Sequence, residues 1–65
     1  MSPSIPGATL GQRLYAARRR ANVSTAEAAA AMGGTAELVE AVESGQPVDA
    51  GLAERIDSLI EHLSG

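Results

Sequence analysis

The sequence predicts an all-α fold of four short helices, or at most five. Apolar residues recur at intervals of three and four in several segments, which is the spacing of one face of an α-helix. A serine, threonine or aspartate that can cap a helix precedes each of these segments. No stretch alternates apolar and polar residues as a half-buried strand does. We therefore expect helices and turns only.

The first helix is expected over residues 10–21, after a flexible tail at residues 1–8. Two prolines and a glycine in "MSPSIPG" oppose regular structure in the tail. Thr9, followed three residues later by Gln12, has the pattern of a capping box. Asn22 is suited to the left-handed conformation that ends a helix. The apolar stripe of this helix consists of Leu10, Leu14, Ala17 and Ala21.

The second and third helices are expected over residues 25–32 and 36–44. Ser24 and Glu27 repeat the capping-box pattern before the second helix, and Thr35 can cap the third. A glycine follows each of them and can adopt a positive φ angle; these glycines are Gly33 and Gly45. The inward face of the third helix is formed by Leu38, Val39 and Val42.

The fourth helix is expected after Asp49, which can cap it. Its apolar stripe contains five large aliphatic residues: Leu52, Ile56, Leu59, Ile60 and Leu63. These residues span more of the helix circumference than one buried face requires, so Leu59, Ile60 and Leu63 are candidates for an exposed homodimer surface. The alternative is that all five complete a core otherwise built from alanine.

Length and composition exclude several classes of protein. The 65 residues make one domain, expected over residues 9–65. The absence of cysteine excludes a disulfide scaffold and a thiolate zinc finger. The longest apolar run, at residues 28–32, is far shorter than the roughly 20 residues that cross a bilayer, and the N-terminus lacks the pattern of a signal peptide. We expect a cytoplasmic protein with no membrane partner.

The charge is distributed unevenly along the chain. The net charge is -3 at pH 7. Residues 1–22 contain four arginines and no acid, whereas residues 23–65 contain eight acids and a single arginine, Arg55. An acidic chain opposes avid non-specific binding to nucleic acid, because that binding depends on neutralising phosphates. A local basic face remains compatible with such binding.

The stretch from Leu10 to Gly45, "LGQRLYAARRRANVSTAEAAAAMGGTAELVEAVESG", resembles the Cro and phage-repressor (XRE) helix-turn-helix family without a gap. The resemblance covers a little over half of the chain. It implies a repressor-like helix-turn-helix domain in which the third helix is the recognition helix. The matching positions are Leu14, Arg18, Val23, Ser24, Ala29, Gly33, Val42, Glu43 and Gly45.

The resemblance also implies a structural ion pair between Arg18 and Glu43, which would join the ends of the first and third helices. Arg18 lies next to the stripe that includes Leu14 and Ala17, so its stem should be partly covered and its charged head should need a partner. Gly34 departs from the family pattern, since an apolar residue is frequent at that place. This departure predicts a looser turn and a weaker core.

The positions that the family uses to contact DNA carry unusual residues here. They are Thr25, Thr35, Ala36, Glu37, Glu40 and Ala41. None has the arginine, lysine, glutamine or asparagine side chain that makes bidentate contacts to guanine or adenine, although glutamate can accept from cytosine N4. Glu37 and Glu40 have the alternative role of a solvated face. The candidate phosphate ligands are Arg13, Arg19, Arg20 and Gln46, and these arginines have the alternative of pairing with acids on neighbouring helices.

The sequence thus predicts a DNA-binding domain of a transcriptional regulator, with double-stranded DNA as its partner. The alternative is a repressor-like fold used to bind another protein, which the acidic composition of residues 23–65 favours. Enzymatic activity is not expected, because His62 is the single histidine and has no nucleophile or ligand set around it in the sequence. No catalytic residue, cofactor or metal is predicted.

Overall fold

The computed structural model describes residues 7–65, with side chains from Thr9 onward. Its four α-helices are α1 (Gly7–Ala21), α2 (Thr25–Met32), α3 (Ala36–Glu43) and α4 (Ala50–Ser64). Between residues 7 and 65 there is no strand and no fifth helix. The predicted all-α class is confirmed.

The start of α1 differs from the prediction. The helix begins at Gly7 rather than at residue 10, so Thr9 lies inside it and the predicted capping box of Thr9 and Gln12 is wrong. A capping pattern marks a boundary only where the preceding residues cannot continue the helix, and Ala8 has the highest intrinsic helix propensity of any residue type. Residues 1–6 of the predicted tail lie outside the described residues.

Side chains cap the N-termini of the three other helices. The Ser24 hydroxyl accepts from the Glu27 N–H at 3.1 Å, and the Glu27 carboxylate accepts from the Ser24 N–H at 3.1 Å, which confirms the capping box of α2. Thr35 Oγ1 accepts from the Leu38 N–H at 3.1 Å. Asp49 Oδ1 accepts from the Leu52 N–H at 2.7 Å. Sequence alone therefore determines where α2, α3 and α4 begin.

The helix ends follow the predicted left-handed positions. Asn22, Gly33 and Gly45 have φ angles of 58°, 73° and 96°. Ser44, predicted as the last residue of the third helix, is instead the cap that follows Glu43. At Gly34, an added Cβ would meet Leu38 Cδ2 at 2.9 Å. Leu38, which packs against the core, thus fills the space that the glycine would otherwise leave open.

We expect Ser24→Ala to lower the free energy of unfolding by about 1 kcal/mol, because it removes the hydroxyl that satisfies the first turn of α2. Thermal unfolding followed by circular dichroism measures this loss. Ser24→Asn restores a capping side chain and should retain most of the stability. Equal melting temperatures for Ser24→Ala and the unmodified chain would show that the cap contributes nothing.

The core lies where α1 and α2 meet α3 and α4. Both α1 and α2 pack against α3 and α4. The largest fully buried side chains are Leu14, Ile56, Val39 and Val42. Gly11 allows α1 and α3 to approach closely, because a Cβ at this position would overlap the Val42 carbonyl oxygen. Aliphatic residues, one methionine and one close backbone contact thus form a core that contains no aromatic side chain among the described residues.

The stripe of α4 belongs mainly to this core. Leu59 and Ile60 are only 7% and 6% exposed, and Leu63 is half-buried against the core. The predicted exposed strip is therefore wrong for Leu59 and Ile60. The alanine-rich α2 leaves space that large residues of α4 must fill, so they turn inward. The alternative, in which the α4 aliphatics complete the core, describes the fold.

Candidate functional site

The outer face of α3 is the surface that the sequence singles out for contact with a partner. Glu37 and Glu40 are exposed on it, whereas Val39 and Val42 are fully buried on the opposite face. Ala36 and Ala41 are half-buried beside the two glutamates. The Thr35 hydroxyl accepts from the backbone of α3, and its own proton remains available to a ligand. This face therefore presents two carboxylates and small apolar groups.

Arg18 holds the C-terminal end of α3 against α1. Its Nε and Nη2 donate to the two carboxylate oxygens of Glu43 at 2.8 and 2.9 Å, and its Nη1 donates to the Val23 carbonyl at 3.1 Å. The side chains of Arg18 and Glu43 are only 14% and 11% exposed. A bidentate pair with a third hydrogen bond fixes both position and angle. The pair thus anchors α3 and is not available to an external ligand.

Electrostatics at this anchor favour the charged arginine. The hydrogen bond from Arg18 to Glu43 raises the pKa of Arg18, and this effect outweighs the opposing effect of burial. Glu40 contributes a smaller attraction to the same guanidinium. Since the folded-state pKa lies above the ordinary value, the stability gained through Arg18 is fully present below that ordinary value and is lost only in strong alkali. It does not vary across the physiological pH range.

The arginines of α1 differ in what they contact. Arg13 Nη2 lies 3.0 Å from Asp57 Oδ1 of α4, in an exposed ion pair. Arg19 lies 5.7 Å from the ring centroid of Tyr15, which is within the range of a cation–π contact. Arg20 is exposed. Of the three α1 arginines predicted to contact phosphate, Arg13 is therefore already engaged by α4, whereas Arg19 and Arg20 lie in the last turn of α1.

The remaining candidates lie near helix ends. Thr25 is half-buried at the first position of α2, and Gln46 is exposed after α3. Arg18 and Arg19 line a polar groove together with Ser24, which caps α2, and with Glu27 of its first turn. The chain therefore brings the basic end of α1 next to the N-terminus of α2.

Two contacts at this site escape sequence reasoning. Asp57 holds Arg13 across a separation of 44 residues, and no local pattern connects the two. The Val23 carbonyl, which receives the third hydrogen bond of Arg18, is a backbone group with no signature in the sequence.

Among the described residues, no group of three acidic or histidine side chains is placed to hold a metal ion. None of the four helices has the length and apolarity needed to cross a membrane.

The chain is similar to a protein found by comparison with known proteins. Over 60 residues the chain is 52% identical to a protein of Mycolicibacterium smegmatis that is described only as uncharacterized. The match covers 92% of this chain and 46% of that protein, so the chain spans about half the length of the relative. No protein-family model matches the sequence, and no solved structure matches it significantly. The domain is therefore similar to part of a longer protein of this organism.

Proposed function

We propose that this domain binds double-stranded DNA as the helix-turn-helix domain of a transcriptional regulator, with α3 as its recognition helix. The observation that best supports the proposal is the α2–α3 unit. Two capped eight-residue helices pack against each other and are joined by three residues. A second helix presented in this way is the element that helix-turn-helix proteins insert into the major groove.

The rigid support of α3 favours this role. Its inner face is held by Val39 and Val42, and its last turn by the bidentate bond from Arg18 to Glu43. A recognition helix must be held in a fixed orientation before its side chains can discriminate between bases. The outer face, with Thr35 at its N-terminal end, is then the surface that enters the groove.

The charge of α3 limits what such an interface can do. Glu37 and Glu40 repel phosphates. Glu40 also attracts the nearby guanidinium of Arg18. Inside the groove, carboxylates can accept from cytosine N4, and Ala36 and Thr35 can contact thymine methyl groups. Arg19, Arg20 and Gln46 would supply the phosphate contacts. Because these contacts are few, we expect weak binding with a shallow dependence on salt.

Fluorescence anisotropy of labelled duplexes tests the proposal at low and at physiological salt. We expect dissociation constants on the order of 10⁻⁶ to 10⁻⁴ M for random duplex and tighter binding to a subset of genomic fragments. Replacing Arg19 and Arg20 with glutamine should weaken binding to all sequences and reduce the salt dependence. The control for each single variant, Arg19→Gln or Arg20→Gln, is Arg55→Gln, which also removes one positive charge but from α4 and should change the affinity far less.

A second candidate is that the outer face of α3 binds a basic surface of another protein. The supporting observation is that Arg13 and Arg18 are engaged by Asp57 and Glu43, whereas Glu37 and Glu40 are exposed. In this case no duplex binds even at low salt. Glu37→Lys with Glu40→Lys then separates the candidates further, since these changes strengthen contact with phosphates and abolish contact with a basic protein.

A further inference from the structure

A groove between α2 and α4 lies apart from the outer face of α3 and from the basic end of α1. It has a volume of about 420 Å³ and is lined by Ala31, Met32, Arg55, Ser58, Leu59 and His62. No residue of α3 contributes to it. Met32 and Leu59 form an apolar floor, being only 7% exposed each, whereas Arg55 and His62 are exposed at its rim. The groove thus combines an apolar floor with basic groups.

The basic groups of this groove are unusual in their part of the chain. Residues 23–65 carry eight acids, and their basic side chains are only Arg55 and His62, both of which line the groove. They are seven positions apart, which places them on one face of α4 about 10 Å apart along its axis.

Neither basic group is neutralised by its own helix. The residues three and four positions away from Arg55 are Gly51, Leu52, Ser58 and Leu59. Those around His62 are Ser58, Leu59 and Gly65. An acid at one of these positions would form the usual helical ion pair. Within residues 9–65, the salt bridges are Arg13–Asp57 and Arg18–Glu43 and involve neither group. Arg55 and His62 therefore have no acidic partner among the residues that the structure describes.

We infer that this groove binds an acidic, amphipathic segment of a partner protein. Aliphatic side chains of the segment would cover Met32 and Leu59, and its carboxylates would meet Arg55 and His62. Charge complementarity selects the occupant, because within residues 23–65 an acidic segment meets basic side chains only at this groove. The exposed Arg19 and Arg20 of α1 are the competing basic position. This inference does not depend on the proposed DNA binding.

The shape of the groove favours a protein segment over a small molecule. Small-ligand sites usually bury 70–90% of a drug-sized ligand. Here Ala31, Arg55, Ser58 and His62 are all exposed, so the groove is open along its rim. A helical segment of a partner protein needs to bury only one of its faces in the groove. Such segments bind through apolar side chains at helical spacing.

Chemical-shift mapping by NMR with ¹⁵N-labelled protein tests the inference. The probe is a short synthetic helical peptide with leucines on one face and glutamates flanking them. Three matched peptides carry lysine in place of glutamate, glutamine in place of glutamate, or serine in place of leucine. We expect the acidic peptide to perturb the amides of Ala31, Met32, Ser58 and Leu59, and each altered peptide to bind at least about tenfold more weakly.

Protein variants locate the contact. Arg55→Gln and His62→Gln change exposed side chains and should leave the fold intact. Each should nevertheless lower the affinity for the acidic peptide by roughly threefold to tenfold. Arg20→Gln is the matched control, because it removes the same charge from α1 and should have little effect. The inference is overturned if the peptide perturbs no groove residue, if its lysine form binds equally well, or if Arg20→Gln weakens it as much as Arg55→Gln. Groove shifts that depend on protein concentration without any peptide would instead identify a second copy as the occupant.

Discussion

Gly11→Ala should destabilise the domain by about 3 kcal/mol, at the upper end of the usual cost of overpacking. An added Cβ would overlap the Val42 carbonyl oxygen and would lie 3.0 Å from the Val42 carbonyl carbon and 3.1 Å from Glu43 Cα. These are backbone atoms, so no side-chain rotation can relieve the contact and α1 must move away from α3. The loss is comparable to the whole stability expected for 65 residues, roughly 3–10 kcal/mol. Urea unfolding followed by circular dichroism at 222 nm measures it.

Gly51→Ala provides the matched control for this prediction. Gly51 also lies in a helix, but an added Cβ there would meet only Asp49 Oδ1, at an ordinary distance of 3.5 Å. The same substitution should therefore stabilise the domain by roughly 0.5–1 kcal/mol through helix propensity. Opposite signs for the two variants would demonstrate the close approach of α1 and α3. A Gly11→Ala protein as stable as the unmodified chain would refute it.

Arg18→Ala is expected to cost about 3 kcal/mol, the range found when one partner of a buried ion pair is removed. The Glu43 side chain, which is only 11% exposed, would lose both of its hydrogen bonds from Arg18. The Val23 carbonyl would lose the hydrogen bond that Arg18 Nη1 donates to it. Thermal and urea unfolding should both show the loss. Between neutral pH and pH 9 the difference from the unmodified chain should stay constant, because Arg18 remains charged throughout this range.

Two further variants separate the ion pair from general charge effects. Arg13→Ala removes an exposed pair whose side chains are 52% and 50% exposed, and it should cost less than about 1 kcal/mol. Arg18→Met combined with Glu43→Leu replaces both charges with apolar groups of similar volume and should recover most of the stability. If Arg13→Ala and Arg18→Ala proved equally destabilising, burial of the Arg18–Glu43 pair would not be the cause.

The helix boundaries show what the sequence can specify. Ser24, Thr35 and Asp49 begin their helices as predicted, because capping depends on residues within three positions of one another. Thr9 carries the same local pattern and yet lies inside α1. Its pattern competes with helix propensity at Ala8, and no local rule decides between the two.

The candidate site was less accessible to sequence reasoning. The paired positions of Arg18 and Glu43 came from a resemblance that places the ends of two helices together. The pairing of Arg13 with Asp57, and the inward rotation of Leu59 and Ile60, depend on how α4 lies across α1 and α2. That arrangement is set by the volumes of many side chains at once, so a pattern read along one helix cannot reveal it. The α2–α4 groove follows from the same arrangement.

The packing of α1 determines when this chain can fold during its synthesis. The partners of α1 are α3 and α4, which leave the ribosome last among the four helices. Until they emerge, the apolar stripe that includes Leu10 and Leu14 has no surface to pack against, and an isolated helix of 15 residues is marginal in water. Since α2 and α3 are shorter still, each helix alone should also be marginal. We therefore expect this domain to reach its packed fold only after α4 has been synthesised.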